Sequence, residues 1–254
     1  VGARAGRHAV KVAVVGATRG MGRALARLMA ERGDALCLLG RDAAELEASA
    51  RDLLARGARG PVATARLDLA EPAGFATALD AADRALAAFD TLVVTAGDFA
   101  PQESLERDPE RLGRLLDVNF TATAVLCQQA AERLAGRGGG TVCAFSSVAG
   151  DRARRSNYLY GASKAGLSAF LEGLHLAYAD RGVRVVCVRP GFVKTAMTAG
   201  LPVPPFAGEP DAVARVVLRA IDRGTPVVYA PPIWRWVMLA IRLLPRAVMR
   251  RVRF

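Results

Sequence analysis

The sequence has few of the residues that build metal centres and disulfides, and it has no long apolar run. Its 254 residues include two histidines and four cysteines, and no two cysteines form a C-x-x-C pair. These shortages exclude a multi-histidine metal site, argue against a serine-protease triad, and predict buried reduced thiols. No apolar run reaches the roughly 18 residues of a membrane span, and no leader precedes the first predicted strand. We therefore expect a cytoplasmic protein that binds no metal.

Lysine is also scarce, and the basic charge is unevenly distributed. Of the 35 basic residues only Lys11, Lys164 and Lys194 are lysines, and the formal net charge is +11. Residues 231–254 contain six arginines and no acid, which leaves +5 for residues 1–230. The body of the protein is thus mildly basic, and a strongly basic segment follows it.

Short apolar runs alternate with longer stretches of helical period, which is typical of strand–helix units around a parallel sheet. The predicted strands cover residues 10–15, 35–39, 62–67, 91–94, 141–145, 183–189 and 226–229. The predicted helices cover residues 21–32, 43–56, 72–88, 109–135, 157–181 and 210–223. Because the strands are apolar on nearly every residue, helices should cover both faces. The pattern predicts one α/β domain, a doubly wound Rossmann-type fold with a parallel seven-stranded sheet, over residues 1–230.

A glycine-rich segment follows the first predicted strand. It contains Gly16, Thr18, Arg19, Gly20, Met21 and Gly22. Glycines at such a turn let the backbone approach a pyrophosphate, and the following helix offers its positive N-terminus to it. Its position directly after the first strand indicates nucleotide binding and makes a mere strand–helix turn the weaker interpretation.

An arginine stands where NAD-binding sites often have an acid. The second strand ends before Gly40-Arg41-Asp42, about twenty residues beyond the glycines. An acid there would bind the ribose 2′-hydroxyl. Arg41 and Arg19 suit a 2′-phosphate instead. The sequence therefore predicts NADPH, with NADH the less favoured cofactor.

A tyrosine and a lysine four residues apart follow the fifth strand. Tyr160 and Lys164 share a helix face at this spacing, and Ser147 stands thirteen residues before Tyr160. A nearby ammonium group favours the phenolate, so we expect the pKa of Tyr160 to lie below its usual value of about 10. Such a tyrosine is a general acid or base, although the spacing alone also occurs by chance on exposed helices.

These motifs together resemble those of the short-chain dehydrogenase/reductases. The similarity extends from about Val10 to Thr198 and includes the following motifs: Gly16-x-x-x-Gly20-x-Gly22, Asp68-Leu69, Ala96-Gly97, Asn119, Ser147, Tyr160-x-x-x-Lys164 and Pro190–Thr195. In this chain Val15 stands where the family usually has a threonine, and Val94-Thr95 stands where it usually has two asparagines. These replacements should alter the packing behind the cofactor.

The resemblance implies a role for each catalytic residue. Tyr160 would protonate the carbonyl oxygen of the substrate while Ser147 hydrogen-bonds to it. Lys164 would bind the nicotinamide ribose and tune Tyr160, and Asn119 would hold the water of a proton relay. Taken alone, Asn119 could equally be a helix amide bonded to backbone.

The resemblance also implies the remaining cofactor contacts. Asp68 would contact the adenine and Thr195 the carboxamide, although Asp68 taken alone could be a strand-end cap. Further contacts are implied for Leu69, Ala96, Gly97, Pro190, Gly191 and Val193.

Two segments near the predicted site concern the substrate. Residues 151–157 contain Arg152, Arg154 and Arg155 between Ser147 and Tyr160. They could bind a phosphate or carboxylate, or form a solvated loop. Residues 196–206 are apolar without periodicity, which favours a lid over a hydrophobic substrate, with a packed connecting loop as the alternative.

Residues 231–254 form a basic and apolar tail outside the alternation. At helical pitch its arginines form one stripe (Arg235, Arg242, Arg246, Arg250 and Arg253), with Pro245 breaking the helix. Such a segment can lie on an anionic membrane surface, or it can dock on the body or in a dimer interface. We expect no nucleic-acid binding, because Trp234 and Trp236 cluster rather than form a stacking platform.

The sequence thus predicts a carbonyl reductase, and the family resemblance implies that it forms homodimers or homotetramers. Residues 146–165, the Pro190-Gly191 loop and residues 227–254 resemble reductases of a keto-pentose carried on decaprenyl phosphate, so a lipid-linked keto-sugar is the expected substrate. A reductase of free hydrophobic ketones or 3-oxoacyl intermediates is the alternative enzyme. A non-catalytic nucleotide-binding module is the alternative of another class.

Overall fold

The seven predicted strands form one parallel sheet in the computed structural model, which describes residues 9–251. The strands are β1 (Lys11–Val15), β2 (Ala35–Gly40), β3 (Val62–Arg66), β4 (Thr91–Val94), β5 (Gly140–Phe145), β6 (Val183–Pro190) and β7 (Val227–Ala230). Their order across the sheet is β3-β2-β1-β4-β5-β6-β7. The order reverses between β1 and β4, so a crevice opens there at the carboxyl ends of the strands.

Helices cover both faces of the sheet. In chain order they are α1 (Gly20–Arg32), α2 (Ala43–Ala55), α3 (Phe75–Leu86), α4 (Gln102–Arg107), α5 (Pro109–Leu116), α6 (Thr123–Ala135), α7 (Tyr158–Tyr178), α8 (Pro210–Arg223), α9 (Trp234–Leu243) and α10 (Arg246–Met249). One apolar core lies between the sheet and α3, α6 and α7, and the other lies between the sheet and α1, α2 and α8. The predicted doubly wound α/β fold is confirmed.

The predicted helices differ from the observed ones in four places, one of which is the end of the helix predicted over residues 157–181, where a 3-10 turn, Ala179–Arg181, follows α7. The helix predicted over residues 72–88 starts as a 3-10 turn, Pro72–Gly74, before α3. The helix predicted over residues 109–135 contains a π-helical segment, Asp117–Ala122, between α5 and α6. Helix α4 was not predicted, because its six residues bury only Leu105. A π segment within an α-helix is often found at a functional site, and this one contains Asn119.

The tail packs against the body through one face of α9. Trp234 and Met238 are buried there beside Val148, with Val237 and Ile241 packed around them. The opposite face exposes Trp236 and Leu243. None of the helices within residues 9–251 has the length and apolar character needed to cross a membrane.

The single arginine stripe predicted for the tail is interrupted. Helix α9 ends at Leu243, and α10 starts after Pro245, as the proline predicted. Within α9 only Arg235 and Arg242 share an edge of the helix, between its buried face and its exposed apolar face. Arg253, the last member of the predicted stripe, lies outside the described residues.

Candidate active site

The glycine loop is a turn that leaves no room for side chains. A Cβ at Gly22 would lie 2.1 Å from the Gly16 carbonyl oxygen, and Gly16 has a φ of +90°. The Thr95 hydroxyl donates to the carbonyls of Val15 and Gly16, each at 3.0 Å, so this departure from the family pattern binds the loop to β4. No side chain caps α1 at Arg19. The first backbone N–H groups of α1 therefore suit a pyrophosphate. The residues present fit a dinucleotide cofactor.

The basic residues predicted to bind a 2′-phosphate lie at the surface beside this loop. The Arg19 side chain is 70% exposed and forms an ion pair with Glu45. Arg41 is exposed. The Asp42 carboxylate accepts the Glu45 N–H at 3.0 Å as the N-cap of α2. Asp42 and Arg19 therefore both have protein partners, so a 2′-phosphate would compete with Glu45 for Arg19, whereas Arg41 is exposed beside them.

The other predicted adenine-side residues also have structural roles. Asp68 accepts the Ala70 N–H at 2.9 Å and so caps the turn after β3, which is the alternative that the sequence left open. Leu69 is buried in the core, so only its backbone can contact a ligand. Contact between Asp68 and adenine stays a prediction.

Tyr160 and Lys164 lie together at the start of α7, but the electrostatics differ from the expectation. The Lys164 ammonium lies 5.8 Å from the centroid of the Tyr160 ring and donates to the Phe145 carbonyl at 3.0 Å. Burial raises the pKa of Tyr160 to about 12, and a hydrogen bond with Ser147 opposes that rise. Burial likewise lowers the pKa of Lys164 to about 8. The expected lowering of the Tyr160 pKa is therefore wrong, because desolvation of the phenol is the larger effect.

Tyr160 is held in place by an aromatic residue that the sequence did not indicate. The Phe99 ring packs edge-on against Tyr160, with centroids 5.3 Å apart and an interplanar angle of 82°. Ser147 accepts the Ala149 N–H at 3.1 Å, which fixes its hydroxyl at the start of a 3-10 turn. The phenol and the Ser147 hydroxyl therefore face a common space.

Asn119 is fully buried and joins the π segment to the loop after β4. Its Oδ1 accepts the Asp98 N–H at 2.7 Å, and its Nδ2 donates to the Asp98 carbonyl at 2.8 Å. Nδ2 also donates to the Ser163 hydroxyl at 3.3 Å. The Asn119 side-chain amide thus bonds to backbone groups. These groups belong to the loop after β4 and not to the helix that contains Asn119. The amide fixes the loop that begins at Ala96 and Gly97, and its part in a proton relay stays a prediction.

Tyr160 and Ser147 line a cavity of about 500 Å³ with mostly apolar walls. The loop after β6 contributes Pro190, Gly191, Val193 and Thr195 to the wall, and Met21 contributes from the glycine loop. Gly20 lies against Thr195, since a Cβ at Gly20 would be 3.3 Å from the Thr195 methyl carbon. The predicted cofactor loops therefore meet at this cavity.

The tail and the segment predicted as a lid close the far side of the cavity. Trp234, Val237 and Ile241 line it from α9. Residues 196–206 form a 3-10 turn, Ala196–Thr198, and a loop, and they contribute Met197, Leu201 and Phe206. The Trp234 Nε1 donates to the Phe206 carbonyl at 3.2 Å. Sequence reasoning assigned Trp234 to a membrane-seeking tail and missed it as a wall of the site.

The arginines of residues 151–157 separate into three environments. Arg152 donates to the Leu244 carbonyl at 3.0 Å and so secures the end of α9. Arg155 is exposed, whereas Arg154 lines the cavity beside Asn157.

The Asp151 side chain at the start of this loop is 1% exposed and accepts from Arg189 at 2.9 Å and from the Tyr229 hydroxyl at 2.8 Å. This buried cluster anchors the loop to β6 and β7.

The model of the short chain dehydrogenase family matches residues 10–203. The chain belongs to the short-chain dehydrogenase/reductase family. It is therefore an NAD(P)-dependent oxidoreductase, and Tyr160, Lys164 and Ser147 occupy the family's motif positions in one site.

Two curated relatives cover most of this short-chain dehydrogenase/reductase. An uncharacterized oxidoreductase of Mycobacterium tuberculosis is 35% identical over 96% of this chain and 97% of its own. The cis-4-hydroxycyclohexanecarboxylate dehydrogenase of Sinomonas cyclohexanicum is 34% identical over 76% of this chain and 78% of its own. Among solved structures, a short-chain dehydrogenase from Sphingobium yanoikuyae in complex with NADPH has a TM-score of 0.80 at 28% identity and covers 96% of both chains.

Proposed function

We propose that the protein reduces a ketone to a secondary alcohol with NADPH, with Tyr160 as the general acid. The observation that carries this proposal is the position of Tyr160 and Ser147 on one apolar cavity, with the Lys164 ammonium behind the phenol ring. The cavity excludes water from a carbonyl group, and its polar atoms converge on one place.

Each residue has a defined part in the reaction. A bound reduced nicotinamide would supply the hydride that attacks the carbonyl carbon. Ser147 donates a hydrogen bond to the carbonyl oxygen, and Tyr160 transfers its phenolic proton to that oxygen. Because burial keeps the pKa of Tyr160 at about 12, the proton is present at neutral pH. The buried Lys164 ammonium then stabilises the tyrosinate that forms.

NADPH is the proposed cofactor because two arginines lie beside the glycine loop. Arg41 is exposed, Arg19 would exchange its ion pair with Glu45 for a 2′-phosphate, and the nearby Asp42 is engaged as the cap of α2. The NADPH complex of the Sphingobium yanoikuyae relative supports this choice. Replacing Arg41 with alanine should raise the Kd for NADPH at least tenfold and leave that for NADH nearly unchanged. Equal weakening of both would remove the role of Arg41 in selecting the phosphate.

The proposed substrate is an apolar ketone, and two candidates define its range. The apolar cavity walls suit a hydrophobic body. A keto-sugar carried on a polyprenyl phosphate is the candidate from the sequence resemblance. The relative named for cis-4-hydroxycyclohexanecarboxylate supplies the second candidate, the corresponding ring ketone 4-oxocyclohexanecarboxylate. NADPH oxidation with both, beside simple aliphatic ketones, ranks these classes by kcat/KM.

Replacement of Tyr160 by phenylalanine tests the proposed acid. It should lower kcat by about 10²- to 10⁴-fold, the usual contribution of a general acid. NADPH affinity, measured by the fluorescence of the bound cofactor, should change less than threefold. Tyr158→Phe is the matched control, since Tyr158 lies on the same helix, is exposed, and its hydroxyl bonds to Glu106 and Gln102 of α4. Full activity in the Tyr160 variant would refute the assignment.

We also propose that an apolar rim around the cavity contacts an anionic membrane. The rim consists of the outer face of α9, where Trp236 is 63% and Leu243 76% exposed, and of Val203 and Phe206 in the lid segment. Arg235 and the arginines around α10 supply positive charge beside it. Such a surface matches the charge and polarity of a lipid interface, and it would admit a lipid-borne ketone directly.

Vesicle sedimentation tests the rim. Vesicles with phosphatidylglycerol should sediment the protein, those of phosphatidylcholine alone should bind it weakly, and Trp236→Ser with Leu243→Ser should abolish binding. Leu176→Ser is the control, because Leu176 is 72% exposed on α7, outside the rim. If the wild type binds neither kind of vesicle and forms a homodimer or homotetramer that the double substitution converts to monomers, the rim is a subunit interface.

A further inference from the structure

Arg154 is a cation in the wall of the substrate cavity, and the part of the chain that the structure describes offers it no ion pair. It lines the same cavity as Tyr160 and Ser147. Within residues 9–251 no carboxylate lies within ion-pair distance of its guanidinium group. The nearest acidic influence is Asp151, whose two carboxylate oxygens already accept from Arg189 and Tyr229.

Two polar atoms beside this cavity are shielded from solvent and unsatisfied. Within residues 9–251, the Nε of Arg154 and the Oδ1 of Asn157 are buried and have no hydrogen-bond partner. Burial also lowers the pKa of Arg154 from its usual value, and yet an arginine remains charged in a protein. A charged donor such as the Arg154 Nε is costly in a mostly apolar wall unless a ligand that accepts a hydrogen bond satisfies it.

The start of α7 adds to the positive character of this place. Asn157 is the N-cap of this 21-residue helix, and its side chain makes no capping bond. The Leu159 N–H donates to the Gln102 side chain at 3.3 Å, and the helix dipole favours a negative group beside the first turn. The Asn157 carboxamide offers an N–H donor beside the Arg154 guanidinium.

We propose that Arg154, assisted by Asn157, binds an anionic oxygen group of the substrate, a carboxylate or a phosphate. This inference rests on the proposed reduction of a ketone in the same cavity, and it narrows the substrate to ketones that carry such a group. The site is separate from the predicted cofactor phosphate contacts, because neither Arg19 nor Arg41 lines this cavity.

Ligands that cannot be reduced test the anion site independently of the reaction. Octanoate and octyl phosphate are titrated against octanol, with binding followed by calorimetry on the NADP⁺-saturated protein. At least one of the two anions should bind tenfold or more tightly than octanol, which is about 1.4 kcal/mol. Which anion binds more tightly then identifies the group.

Arg154→Gln should bring the Kd of the preferred anion to within twofold of that of octanol and leave octanol binding unchanged. Arg155→Gln is the matched control, because Arg155 is adjacent and exposed. If the glutamine variant fails to fold, Arg154→Lys is measured in its place. It keeps the positive charge and should retain part of the preference for the anion over octanol. Equal binding of anion and octanol by the wild type, or a preference that survives in Arg154→Gln, would overturn the proposal.

A kinetic comparison separates this proposal from the proposed function. With 4-oxocyclohexanecarboxylate and its methyl ester, Arg154→Gln should raise KM for the acid tenfold or more, with kcat and the ester's constants retained. If neither ketone is reduced but the anion preference stands, the proposed reaction fails and the anion site remains. If both ketones are reduced equally well by wild type and variant, the anion site fails and the reductase remains.

Discussion

A methyl group added at Gly191 tests how the tail is attached to the catalytic body. A Cβ at Gly191 would lie 2.1 Å from the Trp234 Nε1 and 2.3 Å from two further indole atoms. The indole is rigid and 8% exposed, so it cannot move aside freely. Overpacking of this kind costs about 1–3 kcal/mol. A displaced indole would also lose its hydrogen bond to the Phe206 carbonyl, which adds about 1 kcal/mol.

Gly191→Ala should therefore lower the free energy of unfolding by about 2–4 kcal/mol. Urea unfolding followed by circular dichroism measures this change, and a chain of this size should lose about 2–4 °C of Tm per kcal/mol. Trp234→Leu shortens the opposing side chain. In the double variant the alanine should cost at least about 1 kcal/mol less than it does alone, because the two residues are in contact.

Gly173→Ala is the control for the loss of glycine itself. It lies inside α7 with nothing within 4 Å of a Cβ, so it should stabilise the helix by about 0.5–1 kcal/mol. Should Gly191→Ala unfold like the wild type, or cost the same with and without Trp234, the close packing of α9 on the loop after β6 is wrong.

Three further perturbations test the electrostatics of the site. Asp151→Ala leaves the Arg189 guanidinium without its buried partner and should cost about 3–5 kcal/mol in urea unfolding, and a cost below 1 kcal/mol would contradict the ion pair. Glu45→Gln releases Arg19 and should lower the Kd for NADPH about two- to fivefold without changing that for NADH, both measured by fluorescence titration. Burial lowers the pKa of Lys164 to about 8, so the ammonium loses its proton above that pH. The kcat/KM for the ketone should therefore fall as pH rises through about 8. A pH profile of kcat/KM that is flat to pH 10 would exclude this assignment.

The inner strands of the sheet could be predicted closely because they are buried on both faces, whereas the edge strands β3 and β7 are partly exposed. A strand covered on both faces is apolar on nearly every residue, and its ends are marked by the polar or glycine residues that follow it. β4 was predicted with its observed bounds, and each of the other strands differs by one residue at one end or, for β7, at both ends. Helix α4 escaped prediction for the opposite reason. Its position depends on contacts with α7, including the one from Leu159 to Gln102, which no local pattern reveals.

The residues of the site could be predicted where their separation along the chain determines their position in the fold. The four-residue separation places Tyr160 and Lys164 on one face of α7, and the motif order brings Ser147 beside them. Spacing says nothing about burial, however. The pKa of Tyr160 is raised and not lowered as predicted, because enclosure by Phe99 and the cavity walls removes solvent from the phenol.

The two sides of the cavity are built by different means, and this explains which of them the sequence reveals. The cofactor side is a backbone turn whose glycines are adjacent in the chain, so a local motif is enough to recognise it. The substrate side combines Phe99, Arg154 and Trp234 from three distant segments. Substitutions in the glycine loop should therefore impair reduction of every ketone alike. Substitutions at Arg154 or Trp234 should change which ketone is accepted, since these side chains contact the part of the substrate that does not react.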